Sequence, residues 1–260
     1  MTFADSARLL SFLGVFLICA ALEAFSRRKE LSAPRPLRWA SNLGILVLDI
    51  LAVRLLIPVA ALDMADMAAR RGWGVLNQVS WPFQVKIVAA FLFLDLVIYG
   101  QHRIFHKAPW LWRIHKVHHA DVDLDVTTGV RFHPMEILLS MLIKIAAVAF
   151  IGAHIFAVLT FEIVLNATSL FNHSNIRIPK FLERFLRLII VTPDMHQVHH
   201  SVIVEETNSN FSFNLPWWDR LLGTYRAQSV EGKGLAIGLS EHRQPRLQTL
   251  PWLLGLPFRN

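Results

Sequence analysis

The apolar residues of this chain come in long blocks separated by shorter polar ones. The first block, residues 9–25, is 17 residues long, just enough for a helix to cross a hydrocarbon core. A basic stretch follows at residues 26–38, where Pro34 and Pro36 break any helix. Residues 39–62 predict a second span. It contains Asp49 and Arg54; intramembrane charges face a bundle interior or snorkel, and Arg54, near the far end, suits snorkelling. Residues 63–84 read as a polar connection whose Trp73 and Trp81 suit a membrane interface. A third span covers residues 85–99 and runs straight into a histidine-rich stretch. The block at 135–170 is 36 residues long, too long for one pass, so two spans are expected with a tight turn at 152–154. After residue 175 no segment is long enough to span; residues 189–191 and 247–256 are at most interfacial or packed core. The fold expected is an all-α integral membrane protein of about four to five transmembrane helices with a cytosolic helical cap. Its expected divisions are residues 1–84 (spans and loop), 85–230 (the histidine-bearing unit) and 231–260 (a tail).

Composition supports the membrane reading: 54% of the 260 residues are hydrophobic and only 17% are charged. The net charge of +7 would mark a nucleic-acid binder in a soluble chain. In a membrane protein it marks cytoplasmic loops beside anionic lipid, so no nucleic acid is expected as a partner. Arg27, Arg28, Lys29, Arg35 and Arg38 therefore place the first linker in the cytoplasm. Arg8 alone precedes the first apolar block and the heavier charge follows it, which fits an uncleaved span better than a signal peptide. The single cysteine, Cys19, excludes an intramolecular disulfide, a Cys-based zinc site and a Cys-ligated iron–sulfur cluster.

Histidine is the anomaly. His102 and His106 lie one helical turn apart. His115-x2-His118-His119 and His196-x2-His199-His200 repeat a second pattern, in which i and i+3 are expected to share a face while the adjacent histidine points about 100° round the helix. That divergence suits two metal ions better than one, and eight imidazoles exceed what a single octahedral ion takes. Imidazole ligation alone admits zinc, copper, nickel or iron. The His-Glu-x-x-His motif of zinc hydrolases is absent, and redox iron with positions open to O2 is the better fit. With five spans and the first linker inside, all ten clustered histidines emerge on one side. His154, at the predicted turn, and His242, in the tail, read as ordinary hydrogen-bonded residues. The rival reading, a membrane metal-binding or metal-transport protein, would place its ligands within the spans on a through-path.

These boxes resemble those of the fatty acid hydroxylase/sterol desaturase superfamily of membrane di-iron oxygenases. Supporting stretches agree in order and spacing over residues 85–230: Asp95-x3-Tyr99-x2-His102-Arg103, Arg131-x-His133-Pro134-x-Glu136, Asn172-His173-Ser174-Asn175, Thr192-Pro193-x2-His196, and Asn210-Phe211 leading to Trp218-Asp219-Arg220 and Gly223-Thr224-Tyr225. The resemblance implies two iron ions that use O2 and electrons to oxidise an unactivated C–H of a bilayer lipid, giving an alcohol or a double bond. It implies metal ligation by His102, His106, His115, His118, His119, His196, His199 and His200, with His133 and His173 as further ligands or their supports. Glu136 and Asp95 are the expected catalytic carboxylates: Glu136 to orient an imidazole or relay a proton, Asp95 in a supporting role deeper in its span. Asn172, Asn175 and Asn210 are expected to hydrogen-bond ligand imidazoles, with a helix cap as the alternative for Asn175. Asp219 and Arg220 are expected to pair and hold the C-terminal part against the boxes. No cytochrome b5-like segment or G-x-G-x-x-G fingerprint is present, so a separate electron donor is expected, of cytochrome, ferredoxin or pterin type. Residues 256–260 carry no endoplasmic-reticulum retention signal, which leans the expected location to a bacterial plasma membrane.

Overall fold

Thr2 starts the first helix. Its hydroxyl accepts from the Asp5 amide at 3.2 Å, and the Asp5 carboxylate accepts from the Thr2 amide at 3.0 Å, so two end-of-helix donors are satisfied reciprocally. Helix α1 (Phe3–Phe25) therefore begins six residues ahead of the apolar block. Helix α2 (Arg35–Leu56) opens on Pro36 in its first turn, where a missing N–H costs nothing, and stops ahead of Pro58. The structure is a computed structural model; it describes residues 2–259, the side chain of Lys233 apart.

The expected polar connection holds a helix, α3 (Ala61–Arg71), closed by Gly72 at φ 66°. Its buried face is Leu62 with Ala61, Ala65 and Ala68, three small side chains that carry little hydropathy. Helix α4 (Phe83–Lys107) is unbroken from the third span through the first histidine box, and α5 (Pro109–His119) carries the second. Helices α6 (Pro134–Ile151) and α7 (Ile155–His173) are the two expected spans, joined by a three-residue turn. Gly152 holds that turn at φ 72°. A Cβ on the facing Gly74 would lie 2.1 Å from the Gly152 nitrogen, so two backbones meet there with no room for side chains. His154 caps α7, its Nδ1 accepting from the Phe156 amide at 3.1 Å. Short helices follow: α8 (Lys180–Leu186), α9 (Pro193–His199), α10 (Val204–Thr207), α11 (Trp217–Leu221) and α12 (Leu250–Gly255). Five helical segments, begun by α1, α2, α4, α6 and α7, are long and apolar enough to cross a membrane. Among the described residues there is no strand, only two isolated bridges.

The bundle core joins Ala90 and Leu94 of α4, Ala147 and Val148 of α6, Ala157, Val158 and Phe161 of α7, and Ala61, Leu62 and Ala65 of α3. In lipid such contacts hold by close packing rather than by escape from water, and small side chains let the helices approach.

One end of the bundle carries the chemistry. Arg27 bridges to Ile176, and the Arg28 amide donates to the Asn175 carbonyl at 2.9 Å, so the first linker lies against the end of α7. Arg38, counted in the sequence among the linker's topological charges, is fully buried instead. Its guanidinium donates to Asp121 at 2.6 and 2.8 Å and to Asp125 at 2.6 Å, fixing the start of α2 to the loop after α5. Asp123 takes the amides of Ser32 and Ala33. Linker, loop, the C-terminal ends of α4 and α7 and the start of α6 all meet at this end, the single-sided arrangement expected from span parity.

Candidate metal centre

Nine histidines converge here in two groups. His102, His106, His115, His119 and His199 form one; His118, His173, His196 and His200 form the other. Within each group the ring nitrogens on offer lie within 4.8 Å of one another. Helix geometry decides the split. On α5, His115 and His119 are four residues apart and share a group, while His118 points to the other. On α9 and its C-terminal cap, His196 and His200 share a group and His199 crosses over. The second and third boxes thus each feed both groups, through i,i+4 partners rather than the i,i+3 pairs expected from sequence, while both histidines of the first box join one group.

The outer nitrogens are held in place. The Nδ1–H of His102 donates to the Phe211 carbonyl at 2.7 Å, that of His173 to Ser169 at 2.7 Å, that of His199 to Ser209 at 2.7 Å and that of His118 to Arg131 at 3.1 Å. His115 is the exception: its Nδ1 meets the Glu136 carboxylate at 2.7 Å. Glu136 sits in the first turn of α6, where the helix dipole favours a negative charge. These contacts aim Nε2 inward and leave it basic. On the side facing the bundle, Phe132 stacks on His118 at 4.4 Å between centroids, and Phe213 lies 5.0 Å from His102 and 5.8 Å from His196. Both phenyl rings belong to the apolar core of α4, α6 and α7.

The donor set fits a pair of metal ions. The Nε2 atoms of His106 and His199, the Nδ1 of His196 and both ring nitrogens of His119 and His200 are buried without a hydrogen-bond partner. So many orphaned acceptors are costly unless a cation takes them. Burial, followed by mutual repulsion, holds His118, His119, His196 and His200 well below their usual range; burial pushes His199 down to about 3. All five are neutral at pH 7, the form that ligates metal. A consequence for the metal-free protein follows by linkage. Unfolded histidines take up protons as pH falls below about 6.5, whereas the folded ones resist, so the unfolded state binds more protons. Metal-free protein should therefore lose stability from pH 6.5 downward, read as a falling unfolding midpoint between pH 7.5 and 5.

Residues 87–224, just over half of the chain, match the model of the fatty acid hydroxylase family. The chain belongs to the fatty acid hydroxylase family. Ornithine lipid hydroxylase OlsE of Rhizobium tropici is 32% identical over 145 residues, 56% of this chain and 43% of that protein. Human alkylglycerol monooxygenase is 28% identical over 158 residues, 59% of this chain and 34% of the relative. Human cholesterol 25-hydroxylase is 28% identical over 152 residues, 56% and 53%. The matched region thus spans about half or less of the length of these curated relatives. No solved structure matches the chain.

In this chain, several side chains stand elsewhere than the sequence suggested. His133 joins neither group. It caps α6, its Nδ1 accepting from the Met135 amide at 3.2 Å and its Nε2 meeting the Leu254 carbonyl at 3.3 Å, so both nitrogens are spent. Asp95 contacts no histidine; it accepts from the Trp218 indole at 2.8 Å and the Leu215 amide at 3.4 Å and ties the C-terminal part to α4. Asn172 donates to the Phe213 carbonyl, Asn175 to that of Lys29, and Asn210 to those of Met195 and Arg226. Main-chain carbonyls orient the imidazoles in their place. Asp219 and Arg220 do not pair. Asp219 receives the amides of Phe211 and Ser212, and Arg220 stacks over Tyr225 at 4.0 Å. The orienting carbonyls of Arg131, Ser169, Ser209 and Phe211 had no sequence signal, since any residue type supplies them.

Glu136 remains beside the site. Replacing it with alanine is expected to weaken metal binding by about 10–100-fold, the usual cost of losing a partner that orients a ligand. Competition against a chelator would measure this.

Proposed function

We propose that this chain is a membrane-bound di-iron oxygenase that hydroxylates a C–H bond of a bilayer lipid. The observation that carries the reading is the pair of buried, neutral imidazole groups at one end of a bundle of apolar helices. Such a site, with iron bound, would supply activation of O2 strong enough to oxidise an unactivated C–H. His102, His106, His115, His119 and His199 would hold one ion and His118, His173, His196 and His200 the other. The backbone carbonyls and Glu136 keep the rings aimed. Phe132 and Phe213 exclude water from the bundle side and offer an apolar wall to an alkyl chain or ring. The relatives named hydroxylases and monooxygenases favour hydroxylation over desaturation. Electrons come from a separate donor, and the basic linker at the same end favours a cytoplasmic site.

A metal transporter would need ligands along a path through the bundle; here they gather at one end. The test uses the full chain in lipid nanodiscs. About two irons per chain, with reductant- and O2-dependent conversion of extracted lipid to a product 16 mass units heavier, supports the reading. Metal flux across liposomes without any such product overturns it.

A further inference from the structure

The part of the chain after α9 does not merely sit on top of the bundle. Asp95 precedes His102 by seven residues on α4, so it lies about 10 Å deeper along the helix. It nevertheless receives the Trp218 indole and the Leu215 amide. Thr168 precedes His173 by five residues on α7, about 7 Å deeper, and its hydroxyl meets the Asn214 side chain. Phe213 is part of the bundle core. The segment 213–218 therefore dips beside α4 and α7 below the level of the histidines.

What surrounds this dip is apolar and uncovered. Phe181 and Phe185 of α8 are 70% and 68% exposed, Leu221 of α11 is 73% exposed, and Leu188, Ile189 and Trp217 are also exposed. The two helices form one surface: the Trp217 indole donates to the Leu188 carbonyl at 2.8 Å and Arg220 donates to the Arg187 carbonyl at 3.0 Å. Exposed Lys180, Arg184 and Arg220 stand among these apolar side chains. Apolar side chains facing out beside cations that can reach phosphate are the signature of a segment lying in a bilayer interface. The depth set by Asp95 and Thr168 places it at the end of the spans, where that interface must be.

We infer that α8 and α11 form a surface embedded in the headgroup and upper acyl layer of the leaflet on the histidine side, with anionic phospholipid as its partner. The occupant is the bilayer in which α4 and α7 already stand, because the surface continues theirs. Asp219 links this surface inward: it holds the amides of Phe211 and Ser212, and the Phe211 carbonyl aims His102.

The test is site-directed spin labelling of the full chain in nanodiscs containing anionic phospholipid and no other protein, in a Cys19→Ala background. Labels go on Phe185→Cys and Leu221→Cys, with Glu30→Cys on the exposed linker as the aqueous reference. The ratio of collisions with O2 to collisions with a water-soluble nickel chelate is expected to be about tenfold or more higher at 185 and 221 than at 30, as for side chains sunk into the interface. Equal ratios at all three sites would overturn the inference. So would labels at 185 and 221 shielded from both reagents, or broadened by a second spin, which would assign the face to another copy of the chain. Helical circular dichroism matching the unlabelled protein shows that each variant is folded, so a changed ratio is not misfolding.

Discussion

On the proposed di-iron function, replacing His173 with alanine should remove one of two metal ions and abolish lipid oxidation. His173 lies outside the three boxes, yet its Nε2 is 3.0 Å from that of His118 and 2.9 Å from that of His196, the centre of the second group. Its outer nitrogen is fixed to the carbonyl one turn earlier in α7. Losing a partner that merely orients a ligand costs about 10–100-fold in affinity or activity, and losing the ligand itself should cost at least the upper figure. Metal analysis should fall from about two ions per chain to one, with turnover down by about 100-fold or more. His133→Ala is the contrast. It removes a helix cap worth about 1 kcal/mol and should leave metal content and turnover near those of the parent. If the two variants lose metal alike, the assignment of four histidines to the second group is wrong.

The second large effect is expected at Arg38. Burial alone would raise the Asp121 carboxyl, but Arg38 and then Arg131 more than offset it and hold it well below the usual carboxylate range. This ion pair is therefore intact at every pH above about 4 and is lost only as pH falls through that depressed value. Arg38→Ala strands Asp125 as a buried charge with no ion-pair partner and leaves Asp121 only Arg131, 3.7 Å away, at a cost of about 3–5 kcal/mol. For a chain of this size that is a drop of roughly 10 °C or more in unfolding midpoint, with metal lost as well because the Arg131 carbonyl orients His118. Lysine should not substitute, since one ammonium cannot serve Asp121 in two places and Asp125 in a third. Asp125→Asn added to Arg38→Ala should recover part of the midpoint by removing the stranded charge. No recovery would mean that the network stabilises by shape rather than charge.

The spans and most of the metal site were readable in the sequence because both rest on short-range periodicity. Hydropathy blocks fix the spans, and the boxes gather the histidines on short helices, although the second and third share them by i,i+4 rather than the expected i,i+3 pairs. What escaped depends on partners far along the chain. Helix α3 hid behind alanines, whose burial is real but whose hydropathy is slight. Arg38 looked like one more linker charge until the loop at 121–125 closed on it, 83 residues away. His133 carries the same imidazole as its neighbours, and only its place before Pro134 at a helix start makes it a cap. Asp95 sits on the face of His102, yet the chain returns Trp218 to it across 123 residues. Sequence shows which groups are present; which of them meet is decided by long-range contacts.

Four of the five outer contacts that aim the histidines end on main-chain oxygens. Every residue type carries that oxygen, so substitution at 131, 169, 209 or 211 cannot delete the acceptor. Point mutation can reshape the walls of the pocket while the ligand frame stays aimed; it takes an inserted or deleted residue, shifting the backbone itself, to spoil the aim. A centre supported in this way leaves the surrounding side chains free to change without disturbing the ligand frame.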